Sequence, residues 1–364
     1  MKLSNKLISA SLFASSFALC VQGMISPALS ADAWHPFPVE ITNPPFEANG
    51  TRSEQTYVAL DKARQKWKIC VSIPHLKDAY WLAVDYGVAA ESQRLGVAMD
   101  LYEAGGYGNL DQQIAQIREC VGSGGQAVII GAISSDGLTD LVVELRSKNI
   151  PVVDLINGMN GQAMSAKSLV SFHDMGFQAG KYLVDQQAQQ GGGTQVAWFP
   201  GPKGAAWVEA GDGGFREALK GSPLTIVATE FGDTGKDAQA ALIEKVLDQN
   251  PDVAHIAGTA VTAETAISIL RKRKLDDHVD IISYYFGPGV HRGIERGKIL
   301  AAPSDLPAIQ ARIAVDQAVR LLEGQPVLRH VGPKIAVVDR TNLAHFDLTT
   351  SLAPKGFRVV FKVN

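Results

Sequence analysis

Short β-rich runs alternate with helix-length stretches along most of this chain, and that alternation leaves few folds open to it. Residues 68–73, 97–101, 127–130 and 151–155 are strand-like, and 81–95, 110–120 and 138–148 lie between them as helices. Leu110, Ile114, Ile117 and Val121 recur at i, i+4, i+7 and i+11, one apolar stripe of a helix laid on a parallel sheet. The alternation resumes after 168–172. Helices at 175–190, 207–220, 236–249 and 263–273 interleave with strands at 195–199, 224–229, 253–257 and 279–283. The remaining elements, helix 290–296, strand 298–302, helix 306–322 and strand 334–338, are too few for a third domain and are expected to return to the first sheet. The predicted fold class is therefore α/β, with two doubly wound parallel-sheet lobes joined by a hinge. A length of 364 residues suits two such lobes. Parallel sheets bind ligands beyond the carboxyl ends of their strands, so two lobes facing each other enclose a cleft.

The first residues address compartment rather than fold. Lys2 and Lys6 precede an uncharged apolar run from Leu7 to about Ile25, followed by the small residues Ala28, Ser30 and Ala31. This is the layout of a cleaved export signal over 1–31, ending near Ala31 or Asp32. Cys20 lies within the run but is not preceded by a lipidation box, and no second such run is present, so no membrane anchor is expected. The expected location is the periplasm. Residues 32–65, rich in proline and polar residues (His35-Pro36-Phe37-Pro38, Asn43-Pro44-Pro45), read as an extended arm.

Two cysteines, Cys70 and Cys120, remain after the signal. In an oxidising compartment an even pair suggests one disulfide, with two buried thiols as the other reading. Eight histidines lie scattered without helical i,i+4 pairing and no Cys-x-x-Cys occurs, so no metal site is expected. A formal charge of −3 gives no general attraction for nucleic acid or anionic lipid. The chain also lacks a Gly-x-Ser-x-Gly elbow, a His-Glu-x-x-His pair and a Walker A loop, which argues against an enzyme and against a nucleotide cofactor.

Aromatic residues gather where the strands end. Tyr80 and Trp81 are adjacent at a strand-to-helix junction, where neighbouring side chains point about 100° apart, so at least one faces the cleft unless both are core rings under the arm. Tyr107 follows Gly105-Gly106 in a tight turn, and is either a cleft residue or an ordinary turn tyrosine. Of Tyr284 and Tyr285, strand alternation directs only one toward the neighbouring sheet face. Asn157 precedes Gly158 and reads either as a turn residue or as a donor into the cleft.

The segments Lys77-Asp78-Ala79-Tyr80-Trp81-Leu82, Glu103-Ala104-Gly105-Gly106-Tyr107, Ala257-Gly258-Thr259-Ala260 and Ala302-Pro303-Ser304-Asp305 carry a likeness that runs from about Trp67 to Phe357. On them the chain resembles the type I periplasmic binding proteins of the ribose-binding class, and most specifically those that sense trimethylamine N-oxide for a membrane sensor histidine kinase. The resemblance implies three crossings between lobes, near Phe172, 285–287 and 332–334. The first lobe would then comprise 66–171 with 287–332, and the second 172–286 with 333–364. It also implies a cage of Asp78, Tyr80, Trp81, Tyr107, Phe172 and Tyr285, with Asn157, Thr259 and Asp305 as further contacts. Family members often carry tryptophan at the position of Phe172, so here the ring remains and the indole donor is lost. Such a cage suits trimethylamine N-oxide, whose methyl-covered positive nitrogen is attracted to ring faces and whose oxide is a strong acceptor. The partner implied is the kinase's periplasmic domain. The alternative function is a receptor delivering a sugar or other solute to an ABC importer, against which stands Leu155-Ile156-Asn157-Gly158 where sugar binders usually carry an Asp-Arg clamp.

Overall fold

Alternate residues of the strand Lys68–Ile73 face two different apolar cores, and the layering of the first lobe is set by that division. In the computed structural model, which describes residues 34–47 and 50–364, Ile69, Val71 and Ile73 pack into one core and Cys70 into another. The expected signal over 1–31, with Cys20 and its cleavage point, lies outside the described residues.

The first lobe contains β1 (Phe37–Asn43), β2 (Thr51–Tyr57), β3 (Lys68–Ile73), α1 (Ala79–Leu95), β4 (Ala98–Glu103), α2 (Leu110–Gly122), β5 (Ala127–Ile130), α3 (Thr139–Ser147), β6 (Val152–Leu155) and β7 (Ala166–Ser168). β5, reading Ala-Val-Ile-Ile, is buried throughout, as expected of a strand with helices on both faces. Strands β4, β3, β5, β6 and β7 run parallel in that order.

The second lobe begins at Ser171, whose hydroxyl caps α4 (Phe172–Gln190) by accepting from Asp174 N at 3.2 Å. It continues through β8 (Gln195–Gly201), α5 (Ala206–Leu219), β9 (Thr225–Phe231), α6 (Lys236–Gln249), β10 (His255–Gly258), α7 (Ala260–Arg273), β11 (Asp280–Ser283), α8 (Pro288–Glu295) and β12 (Ala301–Ser304). Its parallel sheet has the order β11-β10-β8-β9. The last elements are α9 (Pro307–Leu322), β13 (His330–Pro333), β14 (Ala336–Asp339) and β15 (Lys362–Val363). Among the described residues no helix is long and apolar enough to cross a membrane.

Two boundaries differ from the sequence expectation. Residues 37–57 are not an extended arm: β1 and β2 form a hairpin joined antiparallel to β13, at the edge of the first sheet. Val39 and Tyr57 are buried there, and the Tyr57 hydroxyl donates to Asp316 at 2.6 Å. The prolines masked the alternation Phe37, Val39, Ile41. The second crossing lies at Asp305-Leu306 rather than near 285–287. α8 packs on α7, β12 on β11 and α4, while α9 lies on α1 and β5–β7. Gly287, at the end of the expected crossing, instead caps a helix that has Pro288 in its first turn. The final segment also divides, since β14 pairs with β12 but β15 pairs with β4 of the first sheet.

Cys70 and Cys120 are joined, as expected, tying β3 to the last turn of α2 with a Cα–Cα distance of 6.0 Å.

Candidate functional site

Asp78 organises the first lobe's share of the cleft. Its backbone is extended, and its carboxylate accepts from Tyr80 N at 3.1 Å and Trp81 N at 3.2 Å, capping α1. That cap fixes the first helical turn and splays the two aromatic side chains. Trp81 turns inward over Gly131, where a Cβ would lie 2.6 Å from its ring, so only glycine permits the approach. Tyr80 turns across the cleft and meets Tyr285 edge-on, with centroids 5.2 Å apart. The Tyr80 hydroxyl donates to Asp305, which also accepts from Gln310 Nε2 at 2.6 Å.

Tyr107 leaves the Gly105-Gly106 turn, whose residues have φ of 83° and 144°. Its hydroxyl accepts from Asn157 Nδ2 at 3.1 Å, and the same amide donates to Ala132 O at 2.7 Å. Asn157 therefore orients Tyr107, leaving the phenolic hydrogen to donate elsewhere. Both residues line the cavity.

From the second lobe come Phe172 in the first turn of α4, Trp207 in the first turn of α5, Thr234 after β9 and Tyr285 after β11. With Asp78, Tyr80, Trp81, Tyr107, Ile156 and Asn157 they line a narrow cavity of about 20 Å³ that is open on one side. Tyr284 points the other way, donating to Trp207 O at 2.8 Å from the core. Of the further expected contacts, Thr259 caps α7 and Asp305 accepts from the Tyr80 hydroxyl; neither lines the cavity.

Sequence reasoning missed Trp207, Thr234 and His75. The first two sit beyond the carboxyl ends of β8 and β9, the position that singled out Tyr80 and Tyr107, so the same rule applied to the second sheet finds them. His75 Nε2 lies 3.0 Å from Thr234 Oγ1, and its Nδ1 accepts from Lys77 N at 3.3 Å, which puts the ring hydrogen on Nε2. The Thr234 hydroxyl also lies close enough to Asp78 to favour its ionised form. Together with the Lys77–Asp233 ion pair at 3.4 Å, this chain joins the lobes beside the cavity.

Burial sets the charges. It pushes Asp78 up to about 6 against the amide and Thr234 hydrogen bonds that favour its ionised form, and pushes Asp305 up to about 6 as well. It lowers His75 to about 4, leaving the ring neutral at pH 7. The hydroxyls of Tyr80, Tyr107 and Tyr285 are held above the usual phenol range, chiefly by burial, and stay protonated as donors. Cation–aromatic contacts among the described residues involve Phe46, Phe231 and Tyr86, none of them a cavity ring. Among those residues no group of His, Cys, Asp or Glu is arranged to hold a metal ion. Chemically, the site offers ring faces, one buried carboxylate and a few hydroxyl and indole donors.

A family model for the periplasmic binding protein domain matches residues 69–326. The periplasmic protein TorT of Escherichia coli is 37% identical over 300 residues, which span 82% of this chain and 86% of TorT. An ABC transporter solute-binding protein from a Bradyrhizobium species, solved with bound Bis-Tris, is 53% identical with a TM-score of 0.79, covering 90% of this chain and 98% of its own. The complex of TorT with the TorS sensor domain in the presence of trimethylamine N-oxide contains a chain 33% identical, with a TM-score of 0.73, covering 81% of this chain and 100% of its own.

Proposed function

The chain belongs to the periplasmic binding protein family, and we propose that it is a periplasmic sensor that holds trimethylamine N-oxide in its interlobe cage and reports to a TorS-like sensor histidine kinase controlling trimethylamine N-oxide respiration. It is a binding protein and not an enzyme. The observation that carries the reading is a cavity lined by the rings of Tyr80, Trp81, Tyr107, Phe172, Trp207 and Tyr285 together with the single carboxylate Asp78. Ring faces attract a methylated nitrogen without hydrogen bonds, and the donors suit an oxide. A sugar in this cage would leave most of its hydroxyls unpaired, which is costly. The TorS–TorT complexes support the partner assignment. Signalling requires the ligand to favour one lobe arrangement over another, and the lobe-bridging His75–Thr234 bond and Lys77–Asp233 ion pair sit where it would do so.

A second reading, a receptor for an ABC importer, is favoured by the Bradyrhizobium relative. Bis-Tris is a hydroxylated tertiary amine, so both readings accommodate an amine-derived solute and differ in what recognises the loaded form. Calorimetric titration with trimethylamine N-oxide, trimethylamine, choline and ribose tests the cage: the N-oxide binds and ribose does not, whereas binding of ribose alone would overturn the assignment. Capture on the immobilised periplasmic domain of the kinase separates the readings. Binding that changes with the N-oxide supports the sensor; N-oxide binding with no capture supports the importer receptor.

Asp78 also makes binding depend on pH. Its folded value near 6 means that the carboxylate is charged above that pH and neutral below it. A permanent cation lowers that value on binding, so its association releases a proton and weakens as pH falls. Choline affinity is expected to drop by up to about tenfold per unit below pH 6, while the overall neutral N-oxide changes less than about threefold. Choline affinity that stays flat from neutral pH to below pH 6 contradicts a charged Asp78 at the cage wall.

A further inference from the structure

The resemblance left one role unfilled, an indole donor lost at Phe172, and the neighbouring helix α5 of the same lobe supplies one. Trp207 packs on Phe172 with centroids 6.1 Å apart, on Tyr107 at 6.1 Å and edge-on to Tyr285 at 6.1 Å. Its side chain is only 4% exposed, yet the indole N–H meets no acceptor. Buried donors are almost always paired, so an unpaired one lining a cavity points to a ligand acceptor.

The ring is held in place from two sides. The Trp207 carbonyl receives the Tyr284 hydroxyl at 2.8 Å. Gly201, at φ 120°, leaves room for the indole, since a Cβ there would come within 2.5 Å of it. Neighbouring donors are committed elsewhere: the Tyr80 hydroxyl to Asp305, and the Asn157 amide to Tyr107 and Ala132. Among the uncommitted donors lining the cavity are the Tyr107 and Tyr285 hydroxyls, the Trp81 N–H and, fully buried and turned toward the Tyr107 hydroxyl without hydrogen-bond geometry, the Trp207 N–H.

We infer that Trp207 is a specificity residue of the cage, donating its indole N–H to the oxide of the bound N-oxide alongside Tyr107. The inference rests on the N-oxide reading above and adds to it what distinguishes an N-oxide from a methylated cation. An N-oxide oxygen has lone pairs for both donors, whereas a quaternary ammonium leaves both unpaired.

The test is Trp207→Phe, which keeps an aromatic wall and deletes the donor, with titration by trimethylamine N-oxide and tetramethylammonium. The N-oxide affinity should fall by about tenfold or more and that of tetramethylammonium by less than about twofold. Should Trp207→Phe fail to fold, site-specific benzothienylalanine at 207 replaces N–H by sulfur in an otherwise similar ring and should give the same split. Equal losses for both ligands would make Trp207 a wall residue only and overturn the inference, as would unchanged affinity for both. If the wild type binds no N-oxide, the functional reading falls and this inference with it; if it binds and the variant binds as tightly, only this inference falls.

Discussion

Replacing Trp81 by alanine is expected to cost about 2 kcal/mol of N-oxide affinity, roughly thirtyfold, and about 3–5 kcal/mol of stability. The sequence posed the cage and the core as alternatives for this residue, and in the structure Trp81 packs in the core while lining the cavity. Its side chain is 2% exposed, packs with Val71, Val84 and Ile129 in the larger core, and presents part of its ring to the cavity. Alanine would remove a desolvated ring face from the ligand and leave a hole above Gly131, which already gives up its side chain to make room. Denaturant unfolding measures the second effect, and calorimetry at a temperature where the variant remains folded measures the first. Wild-type affinity in a folded Trp81→Ala protein would remove Trp81 from the cage; wild-type stability would remove it from the core.

Loss of the disulfide should be about as damaging. The bridge closes a loop of 50 residues, for which the chain-entropy model gives about 4 kcal/mol. Both sulfurs are buried, Cys70 at 1% and Cys120 at 0%, so alanine rather than serine is the clean replacement, since serine would bury an unpaired hydroxyl. Cys70→Ala/Cys120→Ala should shift the denaturant midpoint far below that of the oxidised protein. A loss under about 1 kcal/mol would mean that the unfolded chain gains little freedom when the bridge is absent. Because the bridge is buried, reduction should also be slow under native conditions and accelerate in mild denaturant.

The alternation of strand and helix was legible because each element's period is local: β5 reads as an unbroken apolar run, and α2 carries its stripe at Leu110, Ile114 and Ile117. The cap at Asp78 is just as local, involving residues two and three positions away, but the sequence reading had Asp78 only as a cage residue implied by the resemblance. What escaped reading was long-range or ambiguous. The hairpin of β1 and β2 was hidden by prolines that usually mark loops, and its pairing partner β13 lies near the other end of the chain. Gly287-Pro288-Gly289 has hinge composition, but the turn back to the first lobe is made at Leu306, a non-glycine residue with φ of 53° that carries no such mark. Trp207 was missed because the strand-end rule was applied only to aromatics of the first sheet and to Tyr284 and Tyr285, and its unpaired N–H appears only in three dimensions. The His75–Thr234 bond joins residues 159 positions apart, beyond any local pattern.

A crystal structure of the protein grown with trimethylamine N-oxide tests the central claim most directly. The account predicts the ligand between the lobes, its methylated nitrogen against the rings of Tyr80, Trp81 and Tyr285 with Asp78 nearby, and its oxide within hydrogen-bond distance of the Tyr107 hydroxyl and the Trp207 indole. An empty cage with the ligand bound elsewhere, or an oxide turned away from both of these donors, would contradict it.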